Sequence, residues 1–67
     1  MSARTDRQRV KEQADRITDA LDNAIRHAQQ LDVINDNRSE YINEKLPLLV
    51  TGMQFARDLS AHFKNGL

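Results

Sequence analysis

Apolar residues recur along this chain at alternating intervals of four and three, twice over, and that rhythm leaves few folds open. In the first half Val10, Ala14, Ile17, Leu21, Ala24, Ala28 and Leu31 follow spacings of 4, 3, 4, 3, 4 and 3. On a helix of 3.6 residues per turn such positions form one continuous stripe, and the residues between them are almost all polar. In the second half Ile42, Leu46, Leu49, Met53, Ala56, Ser60, Phe63 and Leu67 repeat the pattern, broken chemically only at Ser60. The expected fold is therefore all-α, an antiparallel two-helix hairpin. The expected core inside the hairpin is Val10, Ala14, Ile17, Leu21, Ala24, Ala28 and Leu31 against Ile42, Leu46, Leu49, Met53, Ala56 and Phe63.

Local signals place the ends. Thr5 with Gln8 three residues on reads as a capping box, and Asn37 with Glu40 reads as a second one. Lys64 in a last turn and Gly66 after it suit a helix C-terminus with a left-handed cap. These signals predict a flexible N-terminus over 1–4 and one domain over 5–67, built as helix 5–32, loop 33–36 and helix 37–65. A connection that short makes the helices neighbours. Pro47 falls inside the second helix, where it removes a backbone hydrogen bond at a cost of about 3 kcal/mol. Because the stripe passes through it without a slip, the expectation is a kinked, continuous helix rather than two helices. Gly52 nearby adds flexibility or room for close backbone contact.

The second helix carries a further stripe, Tyr41, Leu48, Gly52, Phe55 and Leu59, beside the first. Its combined apolar arc covers roughly half the circumference, more than one neighbouring helix can shield. A chain of 67 residues without cysteine has neither disulfides nor thiolate metal sites to support a thin core, so association is the device that remains. The expected partner is a second copy, giving a four-helix bundle, together with another protein. Tyr41, Leu48, Gly52, Phe55 and Leu59 are the candidate interface.

Several function classes lose their footing. Ten basic and ten acidic residues cancel, so no broad field attracts nucleic acid or anionic lipid. Met1–Asp6 holds no apolar run of the kind a signal peptide needs, and the apolar stretch at 48–50 is far short of the roughly 20 residues of a membrane span. A cytoplasmic protein with no membrane partner is expected. Asp58 four residues before His62 reads as an ion pair near a helix end rather than a metal or proton-transfer site, and His27 has only Asn23 in the equivalent place. The Asp- and Asn-rich stretch from Asp32 fails as a calcium loop, since Ile34, Asn37 and Asn43 stand where a ligand, a glycine and a glutamate are required. No glycine-rich phosphate loop exists. Neither an enzyme nor a cofactor is expected.

Most charges read as solvated faces with pairs four apart, as in Glu12–Arg16, Asp22–Arg26 and Lys11–Asp15. The exception is Arg4, Arg7, Arg9 and Lys11. Basic residues there oppose the dipole of the helix start, which makes them candidates for contact with an acidic partner or a phosphate backbone.

The leading functional expectation is a non-enzymatic interaction module, a regulator, inhibitor or adaptor acting through the apolar face of the second helix. The alternative is a dimeric nucleic-acid-binding bundle that grips phosphates with its basic first turns. In size and shape, though in no motif, the expected architecture resembles the plasmid-encoded RNA-binding hairpin dimers of the Rop type. A lower alternative is a bundle that sequesters a small ligand at a subunit interface. Phage-encoded helical hairpins that take up signalling nucleotides are similar in general layout, and the stretch Gly52-Met53-Gln54-Phe55-Ala56-Arg57 is a faint echo of their second helix.

Overall fold

A computed structural model describes the backbone of residues 3–67 and the side chains from Asp6 onward. Two helices make up the structure, α1 (Ala3–Asn35) and α2 (Glu40–Asn65), packed as an antiparallel hairpin. The backbone trace spans 55 × 17 × 12 Å. Two helices laid side by side make one layer with two open faces.

The helices are longer, or placed later, than the capping signals suggest. α1 continues through Val33, Ile34 and Asn35, so the predicted loop at 33–36 is mostly helix. Its first residue is Ala3, which puts Thr5 inside the first turn instead of at the cap, while the side chains of Arg4 and Thr5 lie outside the described residues. The reversal itself occupies only 36–39. Asp36 and Asn37 both adopt left-handed backbone, with φ of 47° and 61°. That conformation is accessible to Asp and Asn at low cost and closed to β-branched residues. The start of α2 is then capped by Ser39, whose hydroxyl accepts from the Ile42 N–H at 3.3 Å. Asn37 is a turn residue, not a cap. At the far end Gly66 takes an ordinary right-handed φ of −82° and donates its N–H to the Phe63 carbonyl, so the left-handed cap expected there is not formed.

One side chain holds the turn together. Asn35 is 92% removed from solvent, with 8% of its surface accessible. Its amide donates to Asn43 Oδ1 at 2.8 Å, and its own Oδ1 accepts from the Ser39 N–H at 3.0 Å. Asn43 in turn donates to the Asn37 carbonyl at 3.1 Å. Arg38 folds back over the end of α1, bonding the carbonyls of Ile34 and Asn35 that the helix leaves without partners. A buried amide is tolerated because every group it brings is satisfied.

α2 passes through Pro47 as a single helix, which decides between the continuous and the split alternatives. Proline has no N–H to offer the Asn43 carbonyl one turn back. Thr51 bonds the Pro47 carbonyl through its hydroxyl at 2.9 Å. Pro47 itself is exposed, while Leu46 before it is among the most buried side chains. Gly52 is also exposed, and a Cβ built on it meets nothing within 4 Å, so no close backbone approach inside the hairpin requires it.

Two stability changes follow. Asn35→Ala strips the turn of its central donor and acceptor and should lower unfolding free energy by about 1–3 kcal/mol, read from urea denaturation followed by far-ultraviolet circular dichroism. Gly52→Ala should raise it by about 0.5–1 kcal/mol in the same assay, because glycine loses more backbone freedom in a helix.

Candidate interaction surface

The hairpin does not bury the stripe that the sequence displays; it buries one edge of it. Facing residues are fixed by four cross-helix contacts. Lys64 pairs with Asp15, Arg57 with Asp22, the Thr18 and Ser60 hydroxyls meet at 2.7 Å, and Asn35 meets Asn43. The numbers of the two partners sum to 78 or 79 in every case, which is one uninterrupted antiparallel register.

These contacts rotate each helix about its axis. On α1 the column Ala14, Leu21, Ala28 and Asn35, seven residues apart, lies against α2, joined by Thr18 and Ile25. Across from it the facing column is Ser39 at the cap followed by Leu46, Met53 and Ser60 of α2, joined by Val50. Ser60, the one polar residue in the second stripe, is matched by Thr18. The Thr18 proton is directed to the Ala14 carbonyl at 3.2 Å, so Ser60 is the donor of the hydroxyl pair.

The other column of each stripe is left at the surface, which corrects the expected core. Val10 is 49% exposed, Ile17 52% and Phe63 61%, with Leu31 and Leu49 in the same range; Ala24, Ile42 and Ala56 are half-buried. The reason is geometric. A stripe two columns wide spans more of a helix than one neighbouring cylinder can touch.

Because the helices are antiparallel, the two exposed columns come out on the same side. Phe63 shares a shallow hollow with Val10, Ala14 and Ile17 at one end of the hairpin. Leu31 shares another with Tyr41, Ile42, Leu46 and Leu49 at the other end. Ala24 and Ala56 occupy the middle. The result is a two-helix face whose two central columns contain no charged residue.

The opposite face has a different chemistry. Asp15, Asp22, Arg57 and Lys64 form their cross-helix ion pairs there, and Gln29, Asp32, Pro47 and Thr51 line the remaining groove. Asp15 and Asp22 thus reach across to α2 in place of the expected intrahelical partners Lys11 and Arg26. Two further ion pairs join sequence neighbours, Lys45–Glu44 and Arg57–Asp58. Asp15 raises the pKa of Lys64, chiefly through its hydrogen bond and then through its charge.

The predicted interface residues stand on the outer side of α2. Tyr41, Leu48, Phe55 and Leu59 are exposed, and so is Gly52. Leu48 and Phe55 point about 160° away from Leu46 and Met53, so no shift within the hairpin covers them. The stripe adjoins the exposed column of Leu49 and Phe63, making α2 apolar from its buried edge round to its back. Sequence reasoning missed that α1 contributes equally, through Val10, Ile17, Leu31 and the exposed pair Val33 and Ile34. The signal was present in the stripe; the side of it that faces α2 was not.

The remaining candidates are dispersed. Arg7, Arg9 and Lys11 sit on exposed first turns of α1, which run past the end of α2. Both histidines are exposed, and among the described residues no three His, Asp or Glu side chains converge as metal ligands. Arg57, in the stretch 52–57, is engaged by Asp22. Among the described residues no helix is long and apolar enough to cross a membrane. No family model matches the chain, and neither a curated protein nor a solved structure does.

The Lys64–Asp15 pair makes a pH test. A raised pKa means the charged lysine is favoured in the folded state, so its contribution is complete below 10.5 and is lost as pH rises through the folded-state value. Melting temperature should fall over that alkaline range, and Lys64→Met should flatten the fall.

Proposed function

We propose that this chain is a small non-enzymatic protein–protein interaction module, a regulator, inhibitor or adaptor of the cytoplasm, that binds its target through the apolar outer surface of α2. One observation carries the reading. Tyr41, Leu48, Phe55 and Leu59 form a stripe that is 72, 65, 65 and 53% exposed and that faces away from the only other helix of the hairpin. Apolar surface of that extent, rich in aromatic side chains, is what a helix-on-helix interface uses at its centre. A target helix laid along α2 would take these side chains at the i, i+7, i+14 and i+18 positions of one helical stripe.

The non-enzymatic part rests on thickness. Enclosing a reacting centre takes walls on several sides, and a single layer of two helices offers hollows open to solvent.

Site-specific photo-crosslinking in the source cells tests the proposal. With Phe55→p-benzoylphenylalanine, discrete adducts should form whose masses are not multiples of the 7.7 kDa chain. They should disappear when Leu48→Asp is added, and should not form from Gln29→p-benzoylphenylalanine on the other face. Adducts made only of this chain, or none, would remove the reading.

A further inference from the structure

The face formed by both helices, distinct from the outer stripe of α2, has its own occupant. We infer that a second copy of this chain covers it, with Val10, Ile17, Ala24 and Leu31 of α1 and Ile42, Leu49, Ala56 and Phe63 of α2 packing against the same residues of the partner copy.

Surface area supplies the first support. The chain exposes 5618 Å², whereas a compact protein of its mass exposes about 4300 Å², so roughly 1300 Å² stands in excess. Each member of a standard protein–protein interface gives up about 800 Å², and obligate homodimers give up more. The excess is therefore of the size that stable pairing removes. It is not the size of scattered surface leucines.

Shape supplies the second. Along the face, bulky side chains occupy both ends, Val10 with Phe63 and Leu31 with Leu49, while Ala24 and Ala56 lie in the middle. Such a profile is nearly symmetric about its centre. A two-fold axis lying in the plane of the face, parallel to the helices, sets each residue level with its own copy and so brings small residues together at the middle and the large ends against each other, the self-complementarity an isologous contact requires. The product is four helices around one core, with four exposed apolar columns turned inward.

Charge supplies the third. The formal net charge is zero, so two copies meet without overall repulsion, and the ion pairs stand on the face that stays in water. Tyr41, Leu48 and Phe55 at the back of α2 are left uncovered in this arrangement, while Leu59, about 60° round the helix from Ala56, borders the covered face. Leu48 and Phe55 remain at the surface of the pair, free to meet a target. Self-association and target binding thus use separate columns of α2 and fail separately.

Sedimentation equilibrium and light scattering on the purified chain test the inference. The expected mass is twice the 7.7 kDa of one chain, and Ile17→Asp with Leu49→Asp should raise the dissociation constant about a hundredfold or more. Phe55→Asp should leave it within about threefold. Because the chain has no cysteine, single-cysteine variants give a readout independent of the charged substitutions. Ile17→Cys, Ala24→Cys and Leu49→Cys should join two chains through a short bismaleimide, and Gln29→Cys and Gln54→Cys should not. A folded monomer at high concentration, association that survives the Ile17 and Leu49 substitutions, or crosslinking equal on both faces would each overturn it. If the aspartate variants lose their helical circular dichroism, the cysteine pattern alone decides.

Discussion

Two cylinders laid side by side touch along one line, and this limit governs the whole structure. Each helix can bury about one column of side chains against the other, plus the flanks. The chain offers two columns on α1 and nearly four on α2. Ala14, Leu21 and Ala28 meet Leu46 and Met53 along that line, and among the described residues no large side chain is fully buried. Everything outside the line is surface, whatever its chemistry.

Polar contacts choose which column is used. The stripe of α1 has two apolar edges, and by periodicity alone either could have met α2. Asp15–Lys64 and Asp22–Arg57 lie along one flank of the contact line, Thr18–Ser60 lies within it, and Asn35–Asn43 ends it at the turn. Each exposed ion pair contributes little by itself. Four contacts in one register still discriminate, because a rotation or slip of either helix would break all of them together. The bulky Ile17, Leu31, Leu49 and Phe63 are consequently outside, while small Ala14 and Ala28 are inside. That inversion of size is economical only if the bulky column is covered by another molecule.

The interaction readings follow from this division. One face is charged and paired within the hairpin; the other is apolar and unpaired. Sharing the apolar surface between a second copy and a target gives each column of α2 a role. Pro47 and Thr51 fall on the ion-paired side, so the one irregularity of α2 stays clear of both proposed contacts.

Periodicity alone determined that the chain is two helices, roughly how long they are, and that they turn back on each other, because a 4-3 rhythm repeated on either side of a polar break admits little else. It also showed that the apolar surface exceeds what a hairpin can hide. The ends were less legible. Asn37 and Ser39 are both good caps by composition, and the choice depended on Asn35 reaching across to Asn43, a contact between residues eight apart that forms only when the turn closes. The pairing of Asp15 and Asp22 was likewise undetermined, since Lys11 and Arg26 stand four residues away while Lys64 and Arg57 come near only in the folded hairpin. Which edge of each stripe is core is the largest matter that only the tertiary structure decided. A helical pattern fixes the angles between side chains on one helix, but the direction in which the neighbour lies is a property of the pair.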